Sequence, residues 1–407
     1  MQDFPYFTEE HHQIREMVRE FAENEIRPVA KDLDAGSTFP WDNVKKMAEL
    51  GLLGAPWPED LEGAGLDYLS YVLIVEELAR VDASHSITVS AHTTLGTSPI
   101  INFGTEEQKK RFVPHLASGR VLGGFGLTEP GAGSDAGGTA TVAEEKGDHY
   151  VLNGSKIFIT HAGVGEIFVV TARTDTNPVK RNHGITSFIV TKDTVDLDAA
   201  AAVGIGHLDD LPKIAGVSSG KKEDKMGWRA SDTRELILED AIVPKENVLG
   251  EVGHGFRNFL HTLDSGRIGV AALSLGIAVG ALDECVKYTK ERKQFGKAIA
   301  SFQGVHFQIA DMATEIEAAR HLVYHAAWLH KLGKPHKKEA AIAKLFASEL
   351  AMRATTTAVQ LHGGYGYTSE YPVERMMRDA KVCEIGEGTS EIQRIVIARQ
   401  ILGDVVV

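Results

Sequence analysis

The segment Glu384-Ile385-Gly386-Glu387-Gly388-Thr389-Ser390-Glu391-Ile392-Gln393 carries the most chemistry in this chain. Ser390 and Gln393 fit the S-x-x-Q capping pattern, which predicts a helix beginning at Glu391. Glu387 then lies in a glycine-flanked turn just ahead of that helix. Glycines let a backbone approach a ligand closely, and a helix N-terminus offers unpaired N–H donors. A carboxylate in that place is suited to proton abstraction, with nearby N–H groups binding an oxyanion. Local sequence equally fits a solvated glutamate in a turn.

Other patterns are weaker. The stretch 131–136, GAGSDA, fits G-x-G-x-x-A, but a dinucleotide turn needs a helix directly after the glycines. The residues that follow read as strand, turn, strand. Ser134 has no G-x-S-x-G frame. His321 and His325 are one helical turn apart, yet no acidic residue or third ligand accompanies them, so no metal site is expected. Cys383 reads as a small buried hydrophobe.

These residues need elements to hold them. Residues 8–118 show apolar positions at helical spacing, as at Ile14, Val18, Phe21 and Ala22, with breaks at Pro28, 36–40 and 56–65. From about 121 to 243 the chain turns rich in Gly, Thr, Val and Ile. Strands are expected at 150–152, 156–160, 167–172 and 185–191, with turns at 146–148 and 153–154. From Phe256 the pattern is helical again. Phe302, Val305, Ile309, Met312, Ile316, Ala319, Val323 and Ala326 form a heptad-like stripe, as in a helix bundle. The expected fold is mostly α with a central β domain. An N-terminal helical domain spans 1–120, a β-barrel-like middle domain 121–243, and a C-terminal four-helix bundle 244–407. Residues 195–212 read as a surface insertion.

The 407 residues carry 43 Lys plus Arg against 56 Asp plus Glu, a net charge of −13, which argues against nucleic acid or an anionic membrane as partner. An anionic ligand would need local cations. Two cysteines make no disulfide framework, so a reducing compartment fits. The N-terminus resembles neither a secretory signal nor a transit peptide, and no apolar run of spanning length stands out. A soluble cytoplasmic protein is expected, or a mitochondrial-matrix one where a transit peptide has been removed.

Five segments in order, LTEPGAGSD (127–135), SKIFIT (155–160), ERKQFG (291–296), QLHGGYGYTSEYPVERMMRDAK (360–381) and EGTSEIQ (387–393), resemble the acyl-CoA dehydrogenase family across most of the chain. The resemblance implies FAD held between the β domain and the C-terminal bundle. Phe125, Leu127, Thr128 and Ser134 match one flavin-contacting stretch. Phe158, Ile159 and Thr160 match a second, where many relatives have Trp in place of Phe158. Arg292, Lys293, Gln294, Phe295, Phe302 and Gln303 match residues reaching FAD across a subunit interface, as do 360–364, including Gln360, Gly363 and Gly364. Thr389 and Glu391 match contacts on the adenosine side. Ser134, Asp264, Arg267 and Gly388 match acyl-CoA contacts, and Glu387 matches the base. Members that take the base from another helix have it where this chain has Gly266, which supports Glu387.

The resemblance further implies α,β-dehydrogenation of an acyl-CoA to the trans-2-enoyl-CoA. Glu387 would take the Cα proton and flavin N5 the hydride. Burial should raise the Glu387 pKa, against the helix N-terminus. Electron transfer flavoprotein is the implied acceptor and a homotetramer the implied assembly. Residues 262–378 are most similar to short-chain, butyryl-type members. Residues 81–108 contain no Lys or Arg, whereas glutaryl-type members use a cation there. Gly386 stands where many relatives have Tyr, leaving room for a branched or longer acyl group. An oxidase on the same fold and a non-catalytic assembly protein are the alternatives.

Overall fold

The computed structural model describes residues 4–177, 181–192, 197–206, 208, 211 and 213–403. The N-terminal part is helical: α1 (Glu9–Phe21), α2 (Ala30–Gly36), α3 (Trp41–Glu49), α4 (Tyr68–Val81), α5 (Ala83–Ala91), α6 (Ser98–Phe103) and α7 (Glu106–Ala117). The middle part holds β1 (Gly123–Gly126), β2 (Val142–Lys146), β3 (His149–Thr160), β4 (Ile167–Arg173), β5 (Ile185–Thr191), a short α8 (Leu197–Ala202), β6 (Val217–Lys222), β7 (Thr233–Pro244) and β8 (Val248–Leu249). The C-terminal part has α9 (Gly255–Glu291), the short pair β9 (Lys293–Gln294) and β10 (Lys297–Ala298), then α10 (Gln303–Lys331), α11 (Lys337–His362), α12 (Gly364–Tyr367), α13 (Val373–Cys383) and α14 (Ser390–Leu402). Helical outer domains therefore flank a central β domain, as the composition shift near 121 predicts.

The sheet order is β6-β7-β3-β2-β4-β5-β8, with β1 parallel to β4. The sequence predicts a turn at 153–154, but β3 runs through it. Gly154 has φ +150°, and the register against β7 shifts between Leu152 and Gly154, which is a bulge. A Cβ on Gly154 would stand 2.8 Å from Thr141 Cα, so the close approach requires glycine. The turn at 146–148 is real, with Gly147 at φ +64°. After 131–136 the chain makes only a short 3-10 turn (Ala136–Gly138) and enters β2, so no dinucleotide-binding helix exists.

Helix α9 is the hub of the molecule. It is long and apolar enough to cross a membrane by length and composition, but 83% of its most apolar window is buried inside the protein. It packs against α4, α10, α11 and α13. On α10, Met312, Ile316, Ala319, Val323 and Ala326 face this core, while Phe302, Val305 and Ile309 are half-buried at an end this chain does not cover.

Residues 195, 196, 207, 209, 210 and 212 of the expected insertion lie outside the described residues. Its described part lies largely at the surface but is pinned to the protein at three residues. Ala200 and Ile205 are buried in the apolar cluster of α1 and α3, and Leu211 in that of α7 and β4. Gly206 donates its N–H to the Arg120 carbonyl at 3.1 Å. The segment fastens the N-terminal helices to the β domain.

Candidate active site

The turn after α13 places Glu387 at φ +52°, in the left-handed region. Its Oε2 is fully covered and has no hydrogen-bond partner, although the residue as a whole is half-buried through its glycine-flanked backbone. The carboxylate lies against α9: a Cβ built on Gly266 would stand 2.1 Å from Oε2 and 3.6 Å from Leu95 Cδ2. Burial pushes the Glu387 pKa up to about 7, with the charges of Lys344 and Arg267 opposing the rise. A solvated turn glutamate would show neither feature.

The cap differs from the expected one. Thr389, in extended conformation, caps α14 by accepting the Ile392 N–H at 3.4 Å, and Ser390 is already helical. Gln393 does not return to the cap. Its Nε2 donates to the Gly388 carbonyl at 2.9 Å and the Glu387 carbonyl at 3.3 Å. Among the described residues the Glu387 N–H makes no hydrogen bond. Glu391 is exposed on the first turn of α14.

Asp264 and Arg267 sit one helical turn apart on α9 and pair at 2.6 Å. Arg267 is buried and Asp264 half-buried, so the pair points one charge inward and one outward. Tyr68 donates to the Ser265 carbonyl at 2.9 Å, and the Ser265 hydroxyl lies 3.2 Å from His330 Nε2. The His330 ring stacks on Tyr68 at 3.8 Å and stands 4.9 Å from His336, in the connection between α10 and α11. Arg267 is thus the cation that stands beside Asp264, which the charge balance alone did not locate.

The two flavin-matching stretches meet. The Thr128 carbonyl accepts the Ile157 N–H at 2.8 Å, and the Lys156 ammonium stands 3.4 Å from the Leu127 carbonyl. Phe158 has φ +58° and is 62% exposed, while Ile159 is buried in the β core and offers only its backbone. Phe125 and Thr160 are half-buried, and Ser134 is exposed on the loop after Thr128. A large apolar ring held outward next to open backbone fits a planar cofactor.

A π-helical turn, His92–Thr97, joins these stretches to the carboxylate site. Leu95 packs at Gly266, and Gly96 packs so tightly on Gly123 that a Cβ would stand 2.9 Å from its Cα. The Gly123 N–H donates to His92 Nδ1 at 3.0 Å. Burial, reinforced by His161, pushes the His92 pKa down to about 3, so it stays a neutral acceptor. Such π-turns cluster at functional sites, and apolar periodicity gives no signal for them.

The remaining predicted contacts form a separate group. A cavity of about 580 Å³ is lined by Arg292, Gln294, His362, Gly363, Gly364 and Tyr365, among others. Phe295 beside it is 93% exposed at φ +52°, and Lys293 and Gln303 are exposed too. Gly363 has φ +62°, and a Cβ on Gly364 would meet nothing, so backbone is open to a ligand there. Gln360 is exposed near the end of α11, and Phe302 is the N-cap residue of α10. Gly266 and Arg292 are separated along α9 by about 39 Å at the helical rise. The structure therefore does not bring this group to Glu387 within one chain.

His321 pairs with Glu317 at 3.4 Å. Among the described residues no group of three His, Cys, Asp or Glu is placed to hold a metal. Cys383 is buried in the bundle core, and burial pushes its thiol up to about 12.

The sequence matches the acyl-CoA dehydrogenase N-terminal domain over residues 8–120, the middle domain over 124–241 and the C-terminal domain over 253–402. The chain belongs to the acyl-CoA dehydrogenase family. It is similar to a short-chain specific acyl-CoA dehydrogenase of Clostridium acetobutylicum, at 51% identity over 97% of this chain and 98% of that one. It is 47% identical to the caffeyl-CoA reductase-Etf complex subunit CarC of Acetobacterium woodii, covering 98% of this chain and 99% of that one. Its fold is similar to that of butyryl-CoA dehydrogenase from Megasphaera elsdenii, with a TM-score of 0.90 at 47% identity over 98% and 100% of the two chains. This acyl-CoA dehydrogenase is accordingly a flavin-dependent oxidoreductase that uses FAD. The exposed Phe158 beside Thr128 and the open glycine backbone at 363–364 fit that cofactor.

Several site residues carried no local signal. Lys344, Leu95 and Tyr68 reach the site from distant positions, while Gln393 was legible only as a cap residue. Glu129 and Lys156 pair at 2.6 Å, both buried, beneath the flavin-matching stretches. Among these, only Glu129, Lys156 and Gln393 fall inside the segments that resemble the family.

Proposed function

We propose that this enzyme removes the Cα proton of a short-chain acyl-CoA with Glu387 and oxidises the ester to the trans-2-enoyl-CoA. One observation carries the reading: a fully covered, unpartnered Glu387 Oε2 against Gly266, with its pKa pushed up to about 7 by burial. A carboxylate poised near neutrality is ionised enough to act and basic enough to take a weakly acidic proton.

The unpartnered Glu387 N–H is placed to bind the thioester oxygen, and so to stabilise the enolate that forms as the proton leaves. The Asp264–Arg267 pair would hold the CoA portion. Leu127, Thr128 and Phe158 through Thr160 would hold the flavin. When bound, FAD supplies the acceptor for the hydride that leaves Cβ.

The group at 292–303 and 360–364 would complete the FAD site of a second copy, which supports a homo-oligomer, a tetramer by family resemblance. Electron transfer flavoprotein is the proposed acceptor, supported by the Etf-associated relative. The open space at Gly386, where a Cβ would meet only the Val382 carbonyl at 3.5 Å, together with the likeness to a caffeyl-CoA reductase, favours a second reading. In it the enzyme runs toward reduction of a bulkier, aryl-substituted enoyl-CoA.

The test is anaerobic flavin bleaching by a panel of acyl-CoA esters. The protein is expected to purify yellow and bleach with butyryl-CoA, with kcat/KM for butyryl-CoA above that for glutaryl-CoA. The Asp82–Gln108 region, which has no Lys or Arg, provides no cation for a distal carboxylate. A preference for glutaryl-CoA would overturn the substrate assignment. Faster turnover with a 3-arylpropionyl-CoA would favour the second reading.

A further inference from the structure

We propose that Lys344, which touches no reacting atom, is a positioning residue that holds the 387–388 turn in place and keeps the Glu387 carboxylate ionised. The inference rests on Glu387 being the base. Lys344 lies on α11 with no exposed surface, and its ammonium donates to the Gly388 carbonyl at 2.7 Å. Gln393 on α14 donates to the same carbonyl at 2.9 Å. The peptide after the base is thus gripped from two helices, while α9 at Gly266 bounds the carboxylate itself.

A hydrogen bond to one carbonyl does not require a charge. A buried ammonium costs several kcal/mol in desolvation, and an apolar side chain of similar volume commonly serves stability as well. A cation behind the turn, in contrast, acts on Glu387 directly. The other titratable groups that act with that carboxylate are Arg267 on α9, already paired with Asp264, and Tyr68 and Tyr71 on α4; Cys383 and Glu384, the latter paired with Lys381 at 2.6 Å, lie near Lys344 instead. Tyr68, Tyr71 and Cys383 are neutral at pH 7, and burial raises all three further. Arg267 and Lys344 are the cations that oppose the effect of burial on Glu387, with Lys344 the larger influence. Burial lowers Lys344 itself to about 8, so it carries its charge at neutral pH.

The test is the pH dependence of anaerobic flavin bleaching by butyryl-CoA in the holoenzyme. The rate should rise as Glu387 ionises. Removing the cation raises the carboxyl pKa, so Lys344→Met should move the acid limb up by about one pH unit. Lys344→Arg should restore it. Lys344→Gln keeps a donor for the Gly388 carbonyl without charge, should shift the limb as Met does, and carries the measurement if the Met variant does not fold. Gln393→Leu should leave the limb in place. Infrared titration of the carboxyl, assigned by its loss in Glu387→Gln, should show the same displacement without turnover. An unmoved limb and an unmoved carboxyl titration in Lys344→Gln would overturn the inference. A Glu387→Gln enzyme that bleaches normally would instead remove the reading beneath it.

Discussion

Gly266→Ala should slow flavin bleaching by about 10²-fold while leaving the enzyme folded and yellow. The added Cβ would stand 2.1 Å from Glu387 Oε2 and 3.1 Å from its Cδ. Both contacts are with the free end of a side chain, so the carboxylate moves and the backbone does not. Displacement of a reacting group by about 1 Å is enough for a loss of that size. Within a helix, alanine in place of glycine is by itself favourable by about 0.5–1 kcal/mol, so a lower melting temperature is not expected. Stopped-flow bleaching together with thermal unfolding separates the two effects. Wild-type bleaching in this variant would mean that the reaction does not occur where this carboxylate lies.

A second large effect is expected beneath the flavin-matching stretches. The Lys156 ammonium meets Glu129 Oε1 at 2.6 Å with essentially no exposure on either side. Burial alone would raise the Glu129 pKa, yet Lys156, with the Ala140 and Thr141 N–H groups, brings it below the ordinary carboxylate value. Lys156→Met leaves that carboxylate buried beside two amides and no cation. The expected cost is about 3–5 kcal/mol of stability, with weakened FAD retention because the Leu127 carbonyl loses its contact with the Lys156 ammonium. Glu129→Gln combined with Lys156→Met removes the stranded charge and should recover most of the loss. Urea unfolding of wild type and the two variants checks this; a Lys156→Met enzyme no less stable than the double would contradict it.

Much of this arrangement was legible in the sequence where the determinants were local. The glycines around Glu387 and the helix start behind it are read within ten residues, and the stripe from Met312 to Ala326 marks the buried face of α10. The cap was misplaced by one residue because Thr389 and Ser390 are chemically near-equivalent, and the inward demand on Gln393 from two carbonyls is not written in the spacing. The bulge at Gly154 looked like a turn, since Asn-Gly favours both, and only the pairing of β3 with β7 decides between them. The significance of Gly266 as the wall behind Oε2, the Leu95 contact from a π-turn, and Lys344 behind the 387–388 turn depend on packing between helices distant in sequence. The half-buried Phe302, Val305 and Ile309 continue the stripe onto a face that a single chain leaves open.

The central claim is that Glu387 takes the Cα proton, and the most direct measurement is anaerobic rapid mixing of the Glu387→Gln holoenzyme with butyryl-CoA. Glutamine keeps the shape of the side chain and is hardly basic. The expected result is a yellow, normally folded protein whose flavin bleaches about 10²–10⁴-fold more slowly than wild type, the usual loss on removing a general base. Bleaching of that variant at the wild-type rate would contradict the assignment.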